Sequence, residues 1–212
     1  MFGMLFEGYG VSLQIFALTL LGAVPLGIIV ALGRLSKFKP LSRIVGLYIS
    51  VMRGTPLMLQ MFAVVFAPYY VFGIKTGTGY KFVSVIIAII IHYDAYFAEI
   101  YRSGLQSIPQ GQYEAADVLG YSSAQTFFRI ILPQMFKRIL PAMGNEVVTL
   151  VKDTSLAFSI GVAEMFTTGR ALVASQRNMV PFAIAAVFYW VTCLVIEAAL
   201  RRVEKRLDYY HE

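Results

Sequence analysis

The residues of this chain that could do chemistry lie inside runs otherwise made of Leu, Ile, Val, Ala and Phe. Around residues 82–101, His92, Tyr96, Glu99 and Ser103 recur at i, i+4, i+7 and i+11, one face of a helix, with Asp94 nearly opposite. Around 140–162, Glu146, Thr149 and Asp153 share a face, flanked by Asn145 and Lys152. An ionisable group within lipid costs at least ~2.5–3.5 kcal/mol on insertion scales, so each one is a functional candidate. Groups of this kind can line a path for a charged or polar solute. The structural alternative is pairing across helices, Lys152 with an acid for example, and it applies first to Lys152 and Asp94.

A second candidate is the stretch Arg53–Pro56, "RGTP". Gly54 permits a break, Thr55 can cap, and Pro56 suits the first turn of a new helix. A helix beginning there would present free backbone N–H groups and its positive dipole end, suited to a carboxylate, with Gln60 one turn further on. A capped kink accounts for the same residues.

Absences point away from catalysis. No G-x-x-x-x-G-K-[ST] occurs to cradle phosphate, and Gly27, Gly33 and Gly54 do not form one. No G-x-S-x-G surrounds a serine. His92, His211 and Cys193 cannot build a metal site alone. The chain is expected not to be an enzyme, so any energy must come from elsewhere.

The elements that position these residues follow from composition. Of 212 residues, 58% are hydrophobic and only 14% charged, and the mean hydropathy is +0.69. A soluble domain is roughly 45–50% apolar and 25% charged, so the excess must face lipid. Runs of ~20 residues suffice to cross a bilayer. Val11–Leu32, Leu57–Phe72 with the run before it, Phe82–Tyr101, Leu140–Val162 and Phe182–Leu200 give about five spans in a single all-α membrane domain covering 1–212. The second is expected to be a broken or bent element from Leu41 to Phe72. No cleavable signal peptide is evident. Tyr69, Tyr70, Phe72, Tyr80 and Phe82 suit an interfacial belt, and "RRVEKRLDYYHE" suits a solvated helix end.

The net charge of +6 is arranged by topology rather than for nucleic acid. Arg34, Lys37, Lys39 and Arg43, then Arg102, Arg129, Lys137 and Arg138, then Arg201, Arg202, Lys205 and Arg206 fall on alternate sides of the spans from Lys75, Lys81, Arg170 and Arg177. The amino terminus is therefore expected outside and the carboxy terminus in the cytoplasm, with the polar interval between the third and fourth spans cytoplasmic.

That interval, about 104–135, reads as helical. Gln110–Gly111 opens a short helix, Gly120 stops it, and Ser122 with Gln125 forms a capping-box pattern for a second. Pro133 is expected to end or kink that second helix. Glu114-Ala115-Ala116, then Gly120, then Ile130-Ile131-Leu132-Pro133 resemble the E-A-A signature of ABC importer permeases. "RGTPL" (Arg53–Leu57), "AYFAEIYRSGLQSIPQGQYEAA" (Ala95–Ala116), "LPAMGNE" (Leu140–Glu146) and "LVKDTSL" (Leu150–Leu156) are similar to the histidine/glutamine/arginine permease family over nearly the whole chain.

The resemblance implies a type I importer permease fold in a bacterial inner (plasma) membrane. It further implies a permease subunit that passes a polar amino acid, cationic or neutral, into the cytoplasm. Its implied partners are a dimer of ABC ATPase subunits that holds ATP and Mg, a second permease subunit (identical or a close paralogue) and an external substrate-binding protein. Glu114, Ala115, Ala116 and Gly120 would dock on the ATPase. Thr55, Gln60, Tyr96, Glu99, Glu146 and Asp153 are the candidate substrate pathway. The alternative is an ion-coupled secondary amino-acid transporter, because intramembrane acids are typical of those too.

Overall fold

The computed structural model describes residues 1–77 and 79–207, all their regular structure being helical. His211 and the last five residues of the charged carboxy-terminal stretch lie outside the described residues. Helix α1 spans Phe2–Arg34, α2 Lys39–Gly54, α3 Leu57–Phe72 and α4 Tyr80–Gln106. Two short helices follow, α5 (Gln110–Val118) and α6 (Ser123–Thr126). A π-helical turn, Phe127–Ile131, leads into α7 (Leu132–Asp153), and a 3₁₀ segment, Thr154–Ile160, precedes α8 (Met165–Gln176) and α9 (Val180–Leu207).

α1, α4 and α9 are each long and apolar enough to cross a bilayer alone. Two bent pairs bring the number to as many as five: α2 with α3, turned by 110°, and the helix from Ser123 to Ile160 with α8, turned by 58°. The first bend is the break expected at Arg53–Pro56. The second falls at residues 161–164, at the end of the run 140–162. There Thr154 returns its hydroxyl to Val151 O at 2.7 Å, and Gly161 takes φ 80°, which ends the 3₁₀ segment and redirects the chain. α1 also starts nine residues before Val11, because a helix can continue past the edge of its apolar run.

Lipid is as apolar as leucine, so these helices associate through close packing and polar contacts rather than through the hydrophobic effect. α1 and α4 share the longest face. At Gly27 a Cβ would stand 2.8 Å from the Phe97 Cβ and 3.1 Å from the Asp94 carbonyl, so glycine sets that crossing distance. Ile15, Met61, Val85, Ile89, Tyr93, Phe97 and Leu150 fill the core where α1, α3, α4 and α7 meet. Leu5, Met165, Leu172 and Ala185 form a smaller cluster among α1, α8 and α9. Leu21, Ile29, Leu47, Trp190 and Val195 are exposed, as lipid-facing positions are. Tyr69, Tyr70 and Phe72 are exposed where an interfacial belt was expected.

Candidate functional site

The loop between α4 and α7 is a rigid knob. α5 ends where Gly120 enters the left-handed region at φ 74°. There Tyr121 N–H donates to Ala116 O at 3.0 Å and Gly120 N–H to Asp117 O at 2.9 Å, the two bonds of a Schellman closure. Ser122 and Gln125 form the expected capping box. Gln134 on α7 donates to Gln112 on α5 at 3.2 Å, tying the knob to the helix that leaves it. Glu114 and Ala115 are exposed, whereas Ala116 is 1% exposed and turned inward.

Pro133 does not end a helix. It lies at the start of α7, and the preceding turn widens so that Leu132 N–H reaches Phe127 O, five residues back. Proline offers no N–H to the ladder, and a π turn accommodates the missing bond without breaking the helix. The knob is therefore joined to α7 by continuous helix.

Sequence reasoning passed over the knob's apolar edge. Val118 is 87% exposed and Leu119 73% exposed, both at the tip of α5 beside Glu114 and Asp117. Two adjacent large apolar residues in an otherwise polar interval are the signal that could have marked them.

The membrane-depth candidates separate into three places. Thr55 and Gln60 are engaged by the α2–α3 break itself. The Gln60 amide donates to Met52 O at 2.9 Å and Thr55 Oγ1 at 2.7 Å, and Thr55 Oγ1 donates to Val51 O at 2.8 Å. Gln60 Oε1 lies 3.0 Å from His92 Nδ1 on α4, so that ring nitrogen carries the proton. This is the capped kink: the two side chains satisfy the end of α2 and have little capacity left for a solute.

Asp94 lies behind, as its register required. Its carboxylate accepts from Tyr48 on α2 at 2.7 Å, and Tyr48 also donates to Ile91 O at 2.9 Å. It is a structural pair.

Tyr96 and Glu99 on α4 and Glu146 and Asp153 on α7 remain. Glu99 is held by Arg102 one turn on, through two hydrogen bonds, Nε to Oε2 at 3.0 Å and Nη2 to Oε1. Asp153 accepts from Tyr93 at 2.7 Å. Arg53, at the end of α2, stacks its guanidinium 5.2 Å from the Tyr96 ring centroid, and its charge reaches Glu99 and Glu146. The remaining polar side chains of α7 turn elsewhere. Asn145, Thr149 and Lys152 line a groove of about 520 Å³ against Glu197 and Arg201 of α9.

A further polar centre was not foreseen. Glu164 is 0% exposed and caps α8, accepting from Phe166 N–H and Thr167 N–H at 2.7 Å each. Thr167 Oγ1 donates to it at 2.8 Å, Tyr189 of α9 at 3.2 Å and Ser12 of α1 at 3.4 Å. An acid followed three residues later by a threonine, at the start of a short helix, was its only trace in the sequence.

Helices that cross lipid, two of them broken at membrane depth, polar side chains converging between them and a rigid polar knob on one end define a membrane transport protein with a partner-facing element. The chain belongs to the family of binding-protein-dependent transport system inner membrane components, which matches residues 23–209. It is 38% identical over 187 residues to the L-cystine transport system permease protein TcyB of Bacillus subtilis (strain 168), covering 87% of this chain and 78% of that one. It is 34% identical over 205 residues to the glutamine transport system permease protein GlnP of Escherichia coli (strain K12), covering 96% and 93%. A crystal structure of an amino acid ABC transporter with histidines superposes with a TM-score of 0.86 at 31% identity, covering 96% of this chain and 94% of that one. The chain is thus a permease subunit of an ABC importer, and the ion-coupled alternative falls.

Proposed function

We propose that this permease passes a polar amino acid, cationic or neutral, into the cytoplasm, and that α5 docks on a separate ATPase. The observation that carries the docking is the Val118–Leu119 step, two large side chains left open on a polar knob. Apolar residues rimmed by charge, here Glu114 and Asp117, are the composition of an interface. A surface of this kind on a knob continuous with α7 gives a partner mechanical access to Glu146 and Asp153.

The partners are a dimer of ATPase subunits that binds ATP and Mg, a second permease subunit, identical or closely related, and an external substrate-binding protein. The lysine and arginine bias puts the knob and carboxy terminus in the cytoplasm and the amino terminus outside. Closure of the ATPases would draw the two knobs together and open the path outward, and hydrolysis would release it inward.

Substrate class follows from relatives that carry cystine, arginine and glutamine and from charge. Asp94, Glu99, Glu146 and Asp153 outnumber Arg53 and Lys152, four to two. Arg102 offsets Glu99, Tyr48 occupies Asp94 and Tyr93 occupies Asp153, which leaves Glu146 to attract an ammonium and to repel an acidic side chain. The test is uptake into proteoliposomes that hold the permease, its ATPase and its binding protein. ATP-dependent accumulation of arginine, histidine, glutamine or cystine is expected. Accumulation driven by a proton or sodium gradient without ATP would overturn the reading.

A further inference from the structure

From the end of α1 to the end of α2 the chain carries Arg34, Lys37, Lys39, Arg43 and Arg53 and no acid. Arg34 closes the α1–α2 turn: its Nη1 donates to Ser42 Oγ at 2.9 Å, and Ser42 Oγ donates to Arg34 O at 2.7 Å. Arg53 lies on the Tyr96 ring. Lys37, Lys39 and Arg43 are exposed, and among the described residues no acid comes within 4.0 Å of their nitrogens. At about 100° per residue, α2 divides into three faces. Val45, Ile49 and Met52 pack with Ala31 of α1 and Ala95 and Ala98 of α4. Ile44, Leu47 and Val51 form an exposed apolar strip at i, i+3 and i+7. Lys39, Arg43 and Ser50 form an exposed polar strip beside it. α1 and α4 run parallel, Gly22 against Ile90 and Gly27 against Phe97, which sets Arg34 level with Arg102 at the end that carries the knob. The last turn of α2 meets Tyr96, only about 9 Å inward of Arg102 along α4. A helix about 24 Å long that climbs so little lies strongly oblique to its neighbours.

An oblique helix at one end of a membrane bundle, apolar on one exposed strip and basic on the next, has the build of an interfacial helix. We infer that α2 lies in the lipid headgroup layer on the knob's side and that Lys37, Lys39 and Arg43 hold the phosphates of anionic phospholipid. Ile44, Leu47 and Val51 then face the acyl chains, and Phe38, exposed between two lysines, sits at the boundary. An apolar strip alone would suit acyl chains or another protein equally. Three unpaired cations bordering it, in a stretch without an acid, match an anionic layer. Ile28, Ile29 and Leu32, in the last turns of α1, are exposed at the same end, as lipid-facing residues are. Tyr48 ties α2 to Asp94 and Arg53 ties it to Tyr96, so the lipid contact would set the depth of the α2–α3 break against α4. The inference goes beyond the substrate reading and does not depend on which amino acid is carried.

The occupant of this face can be trapped. A photoreactive benzophenone amino acid takes the place of Leu47 in the permease–ATPase complex. The complex is irradiated in vesicles of phosphatidylcholine and phosphatidylglycerol in equal parts, with identical acyl chains. Adducts are expected on lipid, with phosphatidylglycerol enriched on the order of fivefold, the scale of one basic residue at a charged surface. Lys37→Gln, Lys39→Gln and Arg43→Gln together should bring the enrichment below about twofold. Lys37→Arg, Lys39→Arg and Arg43→Lys together should keep it, because charge is what the headgroup reads. Salt at about 1 M should shrink it, whereas inorganic phosphate at matched ionic strength should not compete. Equal adducts on the two lipids in wild type would overturn the inference. So would unchanged enrichment in a triple glutamine variant that still hydrolyses ATP, or displacement by inorganic phosphate, which would mark a soluble-anion site. Adducts chiefly on a second permease chain or on the ATPase would overturn it too, and would name a protein as the occupant. Transport is not read in this measurement, so failure of ATP-driven uptake would strike the permease reading and leave the lipid contact standing.

Discussion

The hydroxyl of Tyr93 donates to the carboxylate of Asp153 at 2.7 Å, joining α4 to the last residue of α7 just where the chain leaves α-helical geometry. Tyr93 is buried and packs in the central core, so the bond pins the carboxy-terminal end of α7 to the middle of α4.

Tyr93→Phe removes that donor and leaves a half-buried carboxylate without it, a loss of about 1–3 kcal/mol. The purified complex is expected to unfold at a lower temperature, with α8 the first part to gain amide exchange. Asp153→Asn keeps an acceptor oxygen for Tyr93 and should cost less. Equal loss in the two variants would show that charge at Asp153, not the bond, is what matters.

Glu164 holds α8, α9 and α1 together, and its removal should be the most destabilising single change among the polar residues. Glu164→Ala takes the acceptor from two backbone N–H groups and three hydroxyls in a buried place, about 2–4 kcal/mol. A fall in apparent Tm of roughly 5–15 °C is expected. Glu164→Gln retains one accepting oxygen and should recover at least half. A Glu164→Ala variant with wild-type Tm would remove the centre from the account of this fold.

These two centres mark how far the sequence was legible. Span number, the bend at Arg53–Pro56, the stop at Gly120 and the Ser122–Gln125 box follow from local rules, since each depends on residues only a few positions apart. The passage at the end of the run 140–162 from α7 into a 3₁₀ segment and then a bent α8 was hidden because hydropathy reports apolar length and carries no direction. Glu164 was missed because its partners, Ser12 and Tyr189, are remote in sequence. Gln60 and Thr55 were expected beside a substrate and instead satisfy their own helix end. Only the three-dimensional path of α2 brings the carbonyls of Met52 and Thr55 within their reach.

Orientation can be tested with one thiol. In a Cys193→Ser background, a cysteine replacing Ser123, which is exposed on the knob, should resist a membrane-impermeant maleimide in intact cells and react after permeabilisation. Ready labelling in intact cells would invert the topology.

The knob's chemistry predicts a separable defect. Glu114→Lys reverses a charge on the proposed docking face, Gly120→Val forces a β-branched residue into the left-handed region, and Leu119→Asp puts a charge in the apolar step proposed to meet the ATPase. Each variant should insert normally yet lose most ATP-driven uptake, and Leu119→Asp should co-purify with less ATPase. Wild-type uptake in all three would exclude α5 as the coupling element.

Glu99 distinguishes a pathway residue from a scaffold residue. Its carboxylate is engaged by Arg102 on the same helix, while the charge of Arg53 also reaches it. If the acid serves the solute, Glu99→Gln should lower uptake of arginine or glutamine by roughly tenfold, the scale of one charge-assisted hydrogen bond, and should relax discrimination against glutamate, which wild type should carry poorly. If the acid only steadies Arg102, then Arg102→Gln should cause the same loss, and the double variant should be no worse than either single one. The pathway role therefore requires two results together: Glu99→Gln impaired beyond Arg102→Gln, and selectivity shifted toward acidic substrates. Unchanged rates and selectivity in Glu99→Gln, or efficient glutamate uptake by wild type, would take Glu99 out of the pathway and leave Tyr96, Glu146 and Arg53 to define it.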